Sequence, residues 1–309
     1  MNIKRLYLIG NGFDQHHGIE SSYWKFRDWL KDTDHQFAEQ MSFIFDLLPS
    51  KQKSWGSLEE SLGEIPPDIL DFGLSGIPII MIGKGNESLV SFCTPFQEVG
   101  YTLRDVLDEL LMQFTEWVES YSEPSGIEAI CMNTKDSIFI NFNYTHTLEN
   151  LYHIPKSNIW HIHGELGDDK LIFGHNVSRD KYIEKWMKEY SGTKSALKKC
   201  ASMLNSTRKP VASIISRNKN FWKKLREVEE VYVYGLSCSD VDMPYLETIR
   251  EHVSPNAMWT FSWFKKFDDQ RPDTCIEDYI AKCETARKLN ILNPHLINLE
   301  KILFNLRMF

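Results

Sequence analysis

The chain has 309 residues, 42% hydrophobic, 13% aromatic and 25% charged, a composition that supports a folded core and excludes collagen, disorder and a long coiled coil. Its 35 Lys and Arg against 43 Asp and Glu leave a net charge of −8, which excludes a generic polyanion binder. The charge is segregated, however: residues 179–226 hold 14 basic and three acidic side chains, a local +11. The short apolar start is cut by Gly10-Asn11-Gly12, too early for a secretory leader, and no apolar run nears the roughly 18 residues of a membrane span. Six scattered cysteines without a Cys-x-x-Cys pair give neither a zinc ribbon nor a disulfide framework, so a reducing cytoplasm is expected.

Ile3 to Ile9 reads as a buried strand feeding a glycine turn. Ser21 or Ser22 can cap a helix in which Tyr23, Phe26, Trp29 and Leu30 recur at helical spacing. Further helices are expected from Phe37 to Leu48 and from Ser57 to Leu62, the latter stopped by Pro66-Pro67. Ile77 to Ile82 reads as a short strand or hairpin arm. The longest amphipathic stretch opens near Pro95 and carries Val106, Leu107, Leu110, Leu111, Phe114 and Trp117 on one face. Short strands follow at Ile138 to Phe142, Ile159 to Ile162, Leu171 to Phe173, Val231 to Tyr234 and Trp259 to Trp263. Strands alternating with helices predict an α/β class with a mainly parallel sheet, and one domain over 1–309 with helical insertions at about 20–125 and 179–226.

Four segments could carry chemistry. Gly10, Asn11, Gly12, Phe13 and Asp14 form a Gly-x-Gly turn after the first strand, suited to a phosphate or to a plain tight turn. Gln15 stands where the dinucleotide fingerprint needs its third glycine, so an ordinary dehydrogenase is not supported. Asn141, Asn143, Thr145 and His146 crowd a strand end, where Asn143 can orient a water or a ribose hydroxyl, or cap a helix. His161, His163 and, further on, His175 offer a general base or a zinc site, with alternation placing His161 and His163 on one strand face. Glu165 and His175 are conceivable further ligands, but no spacing completes a metal site and none is expected. Gly235, Ser237, Ser239, Asp240 and Asp242 follow a strand and can cap a helix or meet a ribose. Trp24, Trp29, Trp55, Glu59 and Trp117 read as core packing.

Taken in order, these segments resemble the AbiH family of bacteriophage abortive-infection proteins over nearly the whole chain. The resemblance rests on Leu6 to Asp14 with His17-Gly18 and Ser22-Tyr23, Trp55 to Glu59, Asn141 to Asn150, His161 to Gly164, Phe173 to Asn176, and Tyr234 to Asp242. That family is similar in turn to sirtuin-like NAD-binding proteins, whose segments run Gly-Ala-Gly-x-Ser, Asn-x-Asp, His-Gly, Phe-Gly and Gly-x-Ser. The match places Gly10, Gly12 and Gly18-Ile19 on the nucleotide-binding turn, Asn143 on the catalytic Asn, His163 on the catalytic His and Ser237 on the late Gly-x-Ser. Asp14 stands where that pattern has Ser, Thr145 where it has Asp, and the four zinc cysteines are missing, which argues against a protein deacetylase.

The resemblance therefore implies a Rossmann-like, sirtuin-like fold and cleavage of NAD, or a related nucleotide, between nicotinamide and ribose. Asn143 and His163 would be catalytic, and Gly10, Asn11, Gly12, Phe13, Asp14, Thr145, Gly235, Ser237 and Asp242 would bind the nucleotide. NAD enters as substrate or ligand, and no separate cofactor is required. Expected partners are that nucleotide, a phage-derived trigger, another copy of the chain and, through 179–226, nucleic acid, with no membrane. Two other readings are a nucleotide sensor without turnover and a nuclease or nucleic-acid-binding toxin.

Overall fold

A computed structural model describes residues 3–46, 48, 55–65, 103–121, 129–189, 198, 201–202, 204–264 and 276–299. Expectations for Ile77–Ile82, Pro66-Pro67 and Pro95 lie outside them. The chain divides into two compact units, one of residues 1–21, 119–171 and 210–309, the other of 22–118 and 172–209.

The first unit is built on six parallel strands: β1 (Arg5–Ile9), β2 (Ser137–Asn141), β3 (Ile159–His161), β4 (Glu230–Tyr234), β5 (Met258–Trp263) and β6 (His295–Asn298). Their order across the sheet is β3-β2-β1-β4-β5-β6. The central strands are apolar at nearly every position because both sheet faces are covered. Leu6, Leu8, Ile138, Ile140, Val231 and Val233 point into one core with Trp222, Tyr245 and Trp259. Tyr7, Ile9, Phe139 and Tyr234 point into the other with Phe13, Leu148 and Ile154. On that second face Tyr7 stacks on Phe139 and on Tyr232, its register partners on β2 and β4, each at 4.9 Å between ring centroids. Such cross-strand rings fix register, since a one-residue slip of any of the three strands would send its own ring to the opposite face.

In chain order the helices of the first unit begin with α1 (Asn11–His16) directly after β1. The second unit contributes α2 (Tyr23–Thr33), α3 (His35–Asp46), α4 (Leu58–Leu62) and the long α5 (Leu103–Glu119). Ser22 caps α2 by accepting a bond from the Lys25 amide, and Phe26 and Leu30 are buried as their spacing requires. Phe26, Trp55, Phe114, Trp117 and Phe173 pack ring against ring in this unit. Trp24 is corrected from the core to the surface: it is 42% exposed and carries the Arg27 guanidinium over its ring.

Leu171 to Phe173 forms no strand. Phe173 instead stacks on Phe114 at 4.0 Å, and the chain then turns at Gly174, whose φ is +130°. After β2 comes α6 (Thr147–Asn150), and after it α7 (Ile183–Glu189), α8 (Val211–Arg217) and α9 (Lys219–Lys223). The helix α10 (Met243–His252) links β4 to β5, and α11 (Glu277–Lys288) precedes β6. No helix of the described residues is long and apolar enough to cross a membrane.

Candidate functional site

From β1 the chain adds β2 and β3 on one side, then returns to place β4 on the other. In an open parallel sheet, this reversal leaves a crevice beyond the carboxyl ends of the two strands. The two turns that meet there are glycine turns. The Gly10 amide donates to the Tyr234 carbonyl at 2.9 Å and the Gly12 amide to the Gly235 carbonyl at 2.7 Å. A Cβ on Gly10 would lie 2.4 Å from Leu236 Cα, and one on Gly235, at φ +64°, would lie 2.1 Å from the Phe13 nitrogen. Glycine is therefore demanded by the backbones' own approach. Asn11 bonds Ser21 through both amide atoms, and Phe13 is fully buried against His17 and Tyr152.

Asp14, one turn into α1, is 1% exposed. Thr145 donates to its Oδ2 at 2.7 Å and Thr147 to its Oδ1 at 3.0 Å. Burial raises its pKa to about 6, against the opposing hydrogen bonds of Thr145, Thr147 and Asn143 and the nearby His161. The Tyr121 phenol is raised well above its ordinary value, first by burial and then by the Asp14 charge. Asn143, 6% exposed, donates its Nδ2 to the Gly10 carbonyl at 3.1 Å and its backbone amide to Asn141 Oδ1 at 3.1 Å. The structure thus brings Gly10, Asp14, Asn143 and Thr145 together across β1 and β2. Asp14 and Thr145, 131 positions apart in the chain, are thus hydrogen-bond partners.

The histidines separate. β3 ends at His161, whose Nε2 lies 2.9 Å from Glu149 Oε1 and whose Nδ1 lies 3.3 Å from the Asn143 carbonyl. The following turn carries His163 to the other face, where its ring packs against Phe142 and Tyr245 at 5.5 and 5.8 Å. The expectation that alternation keeps both on one face fails because the strand stops between them. Next to His161, His146 Nε2 lies 2.9 Å from Glu165 Oε2, and Lys156 holds Glu165 Oε1 at 2.7 Å. Burial opposes ionisation of Glu165, but the Lys156 and His146 bonds outweigh it and its pKa is lowered.

Beyond β4, α10 starts only at Met243, so Asp242 holds the N-cap position without a side-chain capping bond, and the Ser239-Asp240 pair precedes it. Asp240 pairs with Lys288 instead. The Ser237 and Leu236 carbonyls receive the buried Lys282 ammonium at 3.0 and 2.6 Å, and Asp278 pairs with it at 3.0 Å. Lys282 escaped sequence reading because a single lysine on a mostly polar helix carries no pattern. Glu149 escaped likewise, lying three residues beyond His146 where only α6 brings the two onto one face.

In the second unit, His175 is fully buried, accepts the Val177 amide on Nδ1 and bonds the Leu204 carbonyl through Nε2. Both ring nitrogens are thereby used within this unit, and burial lowers its pKa to about 4. Glu59 accepts the Gly174 amide at 3.1 Å and pairs with buried Lys209 at 2.8 Å. Arg179 bonds the Gly63 carbonyl and is also buried. Among the described residues of 179–226, Arg179 and Lys209 therefore serve the interior.

Residues 6–263 match the family model described as bacteriophage abortive infection AbiH. Comparison with curated proteins and with solved structures finds no match.

Proposed function

The chain belongs to the AbiH family of bacteriophage abortive-infection proteins, and from that premise we propose that it is a phage-defence effector that binds NAD or a related nucleotide and hydrolyses it at the nicotinamide–ribose bond. The observation that carries the reading is the Asn143 amide seated on the Gly10 carbonyl, where β1, β2 and β4 end around the sheet's reversal. The order β3-β2-β1-β4-β5-β6 is that of Rossmann-type doubly wound sheets, which take dinucleotides at this place.

In the proposed reaction a water oxygen bonds to the ribose anomeric carbon as the glycosidic C–N bond breaks. The electron pair leaves with the pyridine nitrogen, and the water's proton passes to a base. The oxocarbenium-like state needs a positioned water and a hydrogen-bonding group at the ribose. Asn143, held at its Nδ2, orients that water or a ribose hydroxyl. His163 takes the base role through resemblance, and its buried ring would reach the reacting water only through a shift of the turn following β3. The Gly10–Asp14 turn faces the pyrophosphate and ribose, with Thr145, Gly235, Ser237 and Asp242 around them. Asp14 directs both oxygens at threonine hydroxyls, which softens its repulsion of a phosphate.

Purified full-length protein incubated with NAD should yield nicotinamide and ADP-ribose, separated chromatographically. Asn143→Ala should lower the rate at least about a hundredfold, and His163→Ala should lose NAD consumption while remaining folded. Full NAD consumption by His163→Ala would remove that residue from the mechanism, and intact NAD even with infected-cell extract would overturn hydrolysis. Tight nucleotide binding without product would favour the sensing role, for which the Thr145 hydroxyl committed to Asp14 is the specific argument.

A further inference from the structure

Beyond β2 and β3, four titratable side chains from three segments converge, and the proposed hydrolysis uses none of them. His146 stands at the N-cap position of α6, Glu149 lies within α6, His161 ends β3 and Glu165 follows the turn after it. The donor atoms of His146, Glu149 and Glu165 all lie within 4.8 Å of one another. We propose that these three residues bind a divalent transition-metal ion, with His161 as the residue that positions Glu149.

Imidazole nitrogen with two carboxylates is a donor set suited to zinc, manganese or ferrous iron, and bonds of about 2.0–2.2 Å would draw donors now within 4.8 Å of one another slightly inward around the ion. Glu149 supplies a second, independent sign. Its Oε1 is held by His161 at 2.9 Å, whereas its Oε2 is buried with no hydrogen-bond donor among the described residues. A buried carboxylate oxygen without a donor is costly, and a cation satisfies it. His161, oriented at its other nitrogen by the Asn143 carbonyl at 3.3 Å, fixes the Glu149 carboxylate as partners of metal ligands commonly do. Lys156 sits on Glu165 Oε1, and the ion would take the place of the proton now shared between Oε2 and His146 Nε2 at 2.9 Å. The His146 side chain is 32% exposed against 16% for Glu149 and 19% for Glu165, so the ion would enter past His146.

The test uses the full-length chain, stripped by chelator dialysis and titrated with Zn2+ by calorimetry and with Co2+ by visible absorption. One equivalent should bind, and a cobalt ligand-field band should appear that Zn2+ abolishes. His146→Ala and Glu149→Gln should each weaken binding at least about tenfold and remove the band. His35→Gln, at an exposed helix pair elsewhere, should bind as the parent does. No saturable uptake, or unchanged binding in the His146→Ala, Glu165→Gln double variant, would overturn the assignment. Should Glu149→Gln fail to fold, the variant at the more exposed His146 decides. Neither readout depends on NAD turnover, so failure of the hydrolysis leaves the metal result standing, and the reverse.

Discussion

Replacing Asp14 by asparagine keeps the shape of the buried side chain and removes its charge, so it isolates what that charge does to the fold. Burial lifts the carboxyl from its ordinary 3.8 to about 6. Between about pH 4 and 6 the native chain holds a proton that the unfolded chain has already released, so unfolding releases a proton and stability falls as pH rises. Two units at about 1.4 kcal/mol each come to about 3 kcal/mol, present in full as a cost above pH 6 and absent below pH 4. Asparagine has no such slope. Urea unfolding of parent and Asp14→Asn, followed by tryptophan fluorescence from pH 4 to 7, should give a stability difference, parent minus variant, that falls by about 3 kcal/mol across the range. Taking the difference cancels every other titrating group. A difference that stays flat to within about 0.5 kcal/mol would refute the burial argument and mean that the hydroxyls of Thr145 and Thr147 fully replace water.

His175 should act in the opposite sense: its neutral, buried ring has a pKa of about 4, so the parent loses up to about 3 kcal/mol as pH falls from 6.5 to 4. His175→Gln, compared with the parent by urea unfolding, should flatten that acid loss. Gly235→Ala should cost about 3 kcal/mol or more, visible as a lowered thermal midpoint, because the methyl meets the Phe13 nitrogen. Gly167→Ala, also at positive φ but with open space around it, should cost only about 1 kcal/mol in the same assay. Lys282→Met leaves two carbonyls beyond β4 without their donor and should cost about 2–4 kcal/mol by thermal unfolding, with Lys282→Arg failing to restore the parent value because its fork cannot meet the same three acceptors.

Periodicity made most of the first unit legible. β1, β2, β4 and β5 are apolar runs buried on both faces, and the hydrophobic pattern of such strands is almost the strand itself. β6, His295-Leu-Ile-Asn298, offers only two apolar residues and was invisible for that reason. Leu171-Ile-Phe173 has the composition of a strand, but its phenylalanine finds a ring partner on α5 where a strand needs an edge to pair with. The glycines at 10, 12 and 235 announced a turn, while the partner of each was hidden because residues more than 220 positions apart make the contact. The same reason hid the Asp14–Thr145 bond, whose partners lie 131 positions apart.

The central position of β1 bears on synthesis as well as on binding. Residues 5–9 are made well before their hydrogen-bonding neighbours, residues 137–141 on one side and 230–234 on the other. At the roughly 5–20 residues per second of translation, β1 waits about 10 to 45 s for β4. During that interval the edge that β4 will cover presents unpaired N–H and C=O groups on an apolar strand, the kind of segment a nascent-chain chaperone shields. The centre of the sheet therefore closes only once residues 230–234 have followed β1 out of the ribosome, and until then one edge of β1 needs protection.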